Sequence, residues 1–208
     1  MLGLALALSI AACGESSSDA NEASGTFHVK VAKASFPTSQ QIGQTYLMRL
    51  GIRNTGSKVV PALIVNVSVA GKEGRTSTLP FAIHDPQPEL AQPDRPVWVL
   101  AAHYPKFAGS AAPGGAETSN QKTYDFGPLK PGATDNLVWK LSAVKAGRFG
   151  LLYAIDAGLG SQVKAKTASG IAPGGSFTVD IGSAPYDTEV AEGGEVVPRR
   201  KGREGATG

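Results

Sequence analysis

Residues 45–69 read TYLMRLGIRNTGSKVVPALIVNVSV, with apolar side chains at every second position on either side of Asn54-Thr55-Gly56-Ser57. Tyr46, Met48, Leu50 and Ile52 fall on one side of an extended chain, and Thr45, Arg49, Gly51 and Arg53 on the other. After the break, Leu63, Val65, Val67 and Val69 share a side opposite Asn66 and Ser68. A period of two is that of a strand with one face buried and one wet, so this stretch predicts two half-buried strands. Asn and Gly tolerate the left-handed backbone of a tight reversal, so the join is expected to be a close strand connection. The stretch carries no reactive chemistry of its own.

The same period recurs along the chain. Phe27, Val29 and Val31 alternate with His28 and Lys30 until Pro37 ends the strand, and Leu137, Trp139 and Leu141 alternate with Val138 and Lys140. Ala146-Gly147 is expected to reverse the chain into a strand with Phe149, Leu151, Tyr153 and Ile155 on one side. Shorter strands fit 162–168 and 176–181. With 26 glycines, 14 prolines and few charges, the composition suits turn-rich β structure better than a helical bundle. About eight strands without a convincing helix predict an all-β, antiparallel β-sandwich. Leu50, Val65, Trp139 and Tyr153 are expected in its core. Residues 71–122, rich in proline and glycine around a short apolar run at 97–100, read as a long loop-rich insert within a single domain spanning 26–182. Residues 183–208 lose periodicity and read as a disordered tail ending in Arg199-Arg200-Lys201-Gly202-Arg203.

The N-terminus, MLGLALALSIAACG, runs from apolar residues 2–10 through Ala11 and Ala12 to Cys13, the single cysteine. The run is too short for a membrane span and has the length of a signal-peptide core. Ile10-Ala11-Ala12-Cys13 resembles the bacterial lipobox, which implies that residues 1–12 are a signal peptide and that Cys13 is acylated and becomes the mature N-terminus. No Lys or Arg precedes the apolar run, a departure from the signal-peptide pattern. The competing reading is an apolar N-terminus on a cytosolic protein with a buried free thiol. Residues 14–25, small, polar and acidic, read with Cys13 as a flexible tether.

A second resemblance covers residues 27–181. Arg53-Asn54-Thr55-Gly56, a later Leu129-Lys130-Pro131-Gly132, a strand through Trp139, then Gly147 and a strand ending at Asp156 resemble bacterial immunoglobulin-like modules of the CARDB kind. The resemblance implies an immunoglobulin-like sandwich, surface display and interaction, with no catalytic residues to carry across.

Motif chemistry is sparse. The sequence has no G-x-x-x-x-G-K-[ST], G-x-G-x-x-G, G-x-S-x-G or H-E-x-x-H, so phosphate-loop, dinucleotide, serine-hydrolase and zinc-protease chemistry find no local support. His84-Asp85 sets an imidazole beside a carboxylate, but neighbours on a strand face opposite ways and a loop pair is readily solvated. No catalytic residue, metal ligand or cofactor is expected. Residues 26–182 carry 16 Lys and Arg against 9 Asp and Glu. Such a body is drawn to anionic surfaces in a salt-dependent way, although a merely solubilising set of lysines reads the same. The expected partners are membrane lipid through acylated Cys13 and an envelope polymer or surface protein. Nucleic acid is not expected, because export removes the opportunity and no aromatic-basic strand motif occurs. Within the insert, Trp98, His103 and Tyr104 are the candidate binding residues, with Trp98 either capping the core or standing outward as a stacking surface. The leading expectation is therefore a non-catalytic binding or structural module, lipid-anchored on the extracytoplasmic face of the bacterial cell membrane. The alternative is an envelope-associated enzyme or metal carrier with its site in residues 71–122.

Overall fold

The computed structural model describes residues 24–70, 81–83, 96–117, 122–183, 188–194 and 196–198. The expectations placed on Cys13, the leader, His84-Asp85 and the basic end at 199–203 lie outside the described residues. In chain order the strands are β1 (Gly25–Ser35), β2 (Ser39–Gln41), β3 (Thr45–Asn54), β4 (Ile64–Ala70), β5 (Phe81–Ile83), β6 (Trp98–Leu100), β7 (Lys106–Phe107) and β8 (Ala116–Glu117). They continue with β9 (Thr123–Asp125), β10 (Thr134–Ala143), β11 (Gly147–Asp156), β12 (Val163–Lys166), β13 (Gly174–Gly182), β14 (Thr188–Val190) and β15 (Val196–Pro198). No helix occurs among the described residues.

Two sheets face each other. A seven-stranded sheet has the order β12-β1-β3-β10-β6-β5, with β7 also on β10, and a six-stranded sheet has the order β2-β13-β11-β4-β9-β8. Taken in sequence, β1, β3, β6 and β10 occupy the A, B, D and E places of an immunoglobulin sandwich, and β4, β11 and β13 the C, F and G places. The protein is thus an immunoglobulin-like, all-β sandwich. Both inner faces are apolar at the alternating positions. Val29, Leu50, Ile52, Trp139 and Leu141 from one sheet meet Val65, Val67, Leu151, Ile155 and Val179 from the other, all at most 1% exposed. Each such side chain contributes roughly 1.5–3 kcal/mol by leaving water. Tyr153 is also buried, and it needs Gly175 opposite, where an added Cβ would lie 2.5 Å from the tyrosine hydroxyl.

Four features differ from the sequence expectation. The joins at 54–57 and 144–146 are not hairpins, since β3 and β10 lie in one sheet while β4 and β11 lie in the other. Alternating faces are buried equally well by pairing within a sheet or by crossing between sheets, so alternation cannot choose between them. No residue from 54 to 57 has a left-handed backbone. Instead the Asn54 side chain, fully buried, donates from Nδ2 to the carbonyls of Lys58 (2.8 Å) and Leu129 (2.9 Å) and accepts from the Gly56 amide (2.9 Å). Secondly, the sandwich is mixed, with β1 and β12, β2 and β13, and β5 and β6 paired in parallel. Parallel neighbours need a connection of a dozen residues or more, which the chain has in each case. Thirdly, the insert is woven into both sheets: β5, β6 and β7 extend one sheet and β8 the other, with Phe81 and Trp98 in the core. Finally, β14 and β15 pair as a hairpin inside the expected tail, closed by Gly194 at φ 84°, whose amide donates to the Ala191 carbonyl at 2.8 Å.

Candidate functional site

Of the three candidate binding residues, Trp98 is inside the protein. It is fully buried on β6, with Phe36 and Phe149 rings at 5.7 and 6.2 Å, and it caps one end of the core, so it offers no outward stacking surface. Its indole N–H donates to Gln40 Oε1 at 2.8 Å, and Gln40 Nε2 donates to the Pro37 carbonyl at 2.8 Å. Gln40 is 1% exposed, so this relay satisfies a buried amide and a buried indole together. His103 is exposed at the turn after β6, with φ 64°, a region that costs a non-glycine residue energy. Tyr104 is half-buried, and Lys106 sets its ammonium 4.8 Å above the Tyr104 ring. The structure therefore brings Tyr104 and Lys106 together and separates Trp98 from them.

The outer face of the six-stranded sheet carries a small polar network. Thr123 Oγ1 donates to Asn66 Oδ1 at 2.6 Å, and Asn66 Nδ2 donates to Asp156 Oδ2 at 3.2 Å. Burial pushes the Asp156 carboxyl above its ordinary value, against the Asn66 hydrogen bond, which pulls it down. Beside the network, Ser68, Leu152 and Ala154 border a hollow of about 490 Å³. An exposed pair between Arg148 and Asp180, 3.8 Å apart, lies on the same face. Among the described residues no three His, Cys, Asp or Glu side chains gather as metal ligands.

The outer face of the seven-stranded sheet is different in kind. Its inward residues are the core residues above, so the intervening positions point outward. On β12 these are Lys164 and Lys166, on β1 His28, Lys30 and Lys33, and on β3 Arg49 and Arg53. Lys140 on β10 and Lys106 on β7 complete the set. A bulge between Val31 and Lys33 keeps Lys33 outward, where its Cβ and Asn136 Oδ1 would each lie 3.2 Å from a Cβ added at Gly51. No Asp or Glu stands at an outward position on these five strands. Asp135, on β10, falls in the inward phase opposite Ile52, and burial raises its carboxyl above the ordinary value.

The cations are close together. Lys30 and Arg53 are directly opposite across β1 and β3, and Arg49 and Lys106 flank Val138 from either side. Strands about 4.8 Å apart with outward residues every roughly 6.8 Å put neighbouring cations some 5–12 Å apart, near the Debye length of about 8 Å at physiological salt. Like charges directly opposite destabilise a sheet, so this arrangement costs the fold something that packing does not require. Single-residue motifs missed this face. It is visible in the sequence only when the polar phase of each strand is read together with the strand order.

No family model matches the sequence, and no characterised protein matches it in sequence. Solved structures with a similar overall build include the CARDB domain of a Pyrococcus furiosus protein in complex with di-metal ions, at 12% identity over 76% of this chain and 94% of that one, with a TM-score of 0.41. Another is native alpha-2-macroglobulin from Escherichia coli, from domain MG7 to the C-terminus, at 14% identity over 78% of this chain and 18% of that one, with a TM-score of 0.42. A cohesin module from a Clostridium perfringens family 33 glycoside hydrolase shows 11% identity over 76% of this chain and 99% of that one, also with a TM-score of 0.42. The immunoglobulin-like assignment accordingly rests on the strand order itself.

Proposed function

We propose that this chain is a lipid-anchored module on the extracytoplasmic face of the bacterial membrane that works by binding rather than by bond-making chemistry. The observation that carries the binding half is the outward face of the seven-stranded sheet, where Lys30, Arg49, Arg53, Lys140 and their neighbours stand, among the described residues of these strands, without an outward carboxylate. Such a face attracts anionic partners over roughly a Debye length. The anchoring half rests on Ile10-Ala11-Ala12-Cys13 after an apolar run, with residues 14–25 as tether. His103, Tyr104 and Lys106 form a secondary contact area at the rim of the same sheet, next to β7.

Cell fractionation tests the anchor. The parent protein stays with membranes after a high-salt wash, because acyl chains hold by apolar burial, and Cys13→Ala is released by that wash. A Cys13→Ala protein that resists the wash as the parent does would sink the anchoring claim. Binding to isolated envelope tests the interaction surface: replacing His103 and Tyr104 weakens attachment modestly, whereas neutralising Arg49, Arg53 and Lys140 removes most of it.

A further inference from the structure

The cationic face and the point where the chain enters it together indicate what it faces. β1 begins at Gly25, within the seven-stranded sheet, and its first residues run beside Lys164 and Lys166 of β12. Gly25 lies twelve positions after Cys13, with eleven residues between them. A flexible segment of that length has a root-mean-square span of about 19 Å and a maximal reach of about 40 Å. A lipid on Cys13 would therefore hold the start of β1 on average about two to three Debye lengths, and at most about five, from the leaflet carrying the anchor. We infer that the outer face of the seven-stranded sheet docks on anionic phospholipid of that leaflet, so that the body lies against the membrane through Lys30, Lys33, Arg49, Arg53, Lys140 and Lys164; this rests on the anchoring reading above.

The chemistry favours a lipid surface over the other polyanions. The cations are spread over four adjacent strands, from Lys164 on β12 to Lys140 on β10, rather than along one line. Such an array meets many separate headgroups at once, while a single linear polymer covers one row of it. The outward positions between them include Thr26, Gly51, Thr134, Asn136, Leu47 and Val138, with no Phe, Tyr or Trp on these four strands' outer side for a nucleobase to stack on. The opposite sheet presents Asp125, Asp156 and Asp180 against Arg148 and Lys122, so the two faces differ in sign and an anionic plane orients the body one way up.

The test uses the mature chain from residue 13 carrying Cys13→Ser, so that neither an acyl chain nor the apolar leader contributes, with vesicles of phosphatidylcholine alone or mixed with phosphatidylglycerol. The unlipidated protein co-sediments with the mixed vesicles at about 0.01 M ionic strength and is largely released at about 0.15 M, as the Debye length falls from about 30 to about 8 Å. Each cation near an anionic leaflet contributes about fivefold in partition. Replacing Lys30, Arg49, Arg53 and Lys140 by Gln therefore weakens partition at least about thirtyfold, even if half the nominal effect is realised on a twisted sheet. Lys30→Arg with Lys140→Arg keeps the charge and keeps binding, and Arg148→Gln on the opposite sheet changes nothing. A near-UV dichroism spectrum matching the parent qualifies the quadruple variant as folded. Failure of the Cys13→Ser chain to bind anionic vesicles at low salt overturns the inference, as does equal binding to neutral vesicles or an unaffected quadruple variant. Binding to soluble poly(glycerol phosphate) without binding to vesicles also overturns it, in favour of a wall polymer. None of these outcomes depends on acylation, so each is separable from the fractionation result for Cys13→Ala.

Discussion

Asn54 is the most exacting test of how the sandwich is held, because its carboxamide ties the crossing from β3 to β4 to the loop before β10. The side chain is fully buried, donates to two carbonyls and accepts one amide proton. Two of those three partners have a second bond: the Leu129 carbonyl also accepts from Val60 at 3.0 Å, and the Gly56 amide also donates to the His28 carbonyl at 3.1 Å. Asn54→Ala thus removes three hydrogen bonds at about 1 kcal/mol each, with the Lys58 carbonyl losing its side-chain partner. The loss should be about 2–4 kcal/mol, or some 4–16 °C in Tm for a body of this size. Asn54→Asp is the sharper variant. Its second oxygen would replace Nδ2 and face both carbonyls, so at neutral pH it should be less stable than Asn54→Ala. The introduced carboxyl would have a raised folded-state pKa, so its cost should diminish as the pH falls and the proton restores a donor. Thermal melts of both variants from neutral to acidic pH would decide. An Asn54→Asp protein as stable as the parent at neutral pH would show that the amide does not point its nitrogen at Lys58 and Leu129.

Further expectations follow from single side chains. Trp98→Phe and Trp139→Phe delete the same atoms, yet Trp98 Nε1 donates to buried Gln40 while Trp139 Nε1 has no partner, so chemical denaturation should find Trp98→Phe costlier by about 1–3 kcal/mol. Asp156→Asn should raise Tm at neutral pH, because burial raises the native carboxyl; the raised value means that the native state favours the proton, so the advantage should shrink as the pH falls into the ordinary carboxylate range. His103→Gly should stabilise by up to about 1 kcal/mol by relieving φ 64°, measured by urea unfolding, and no gain would mean that the imidazole makes an offsetting contact. Melting temperature should also rise with ionic strength as salt screens the facing pair Lys30 and Arg53.

What could be read from the sequence was the apolar phase. Leu50, Val65, Trp139 and Tyr153 are buried because alternation declares which face of a strand leaves water, and the all-β class follows from repeating that pattern. Strand partners were not legible, since the stretches at 54–57 and 144–146 look the same whether they fold back or cross over. Gln40 gave no signal either: a lone glutamine between Pro37 and Thr45 reads as loop, and only the fold brings Trp98 to it across 58 residues. Trp98 had two readings in the sequence, capping or outward stacking, and its full burial reflects that a tryptophan in a short apolar run has much surface to lose. The cationic face was half legible. The net charge of residues 26–182 announced it, but the side of the molecule needed the order β12-β1-β3-β10.

The proposal as a whole turns on which face of the body meets the envelope, and lysine footprinting on isolated envelope reads that directly. Acylation rates of individual lysines, compared with and without envelope, should fall severalfold at Lys30, Lys33, Lys140 and Lys164. Rates at Lys58 and Lys130, in the connections at one end of the sandwich, should stay close to those of the free protein. Protection confined to Lys58 and Lys130, or spread evenly over all six, would contradict an account in which the seven-stranded sheet is the working surface.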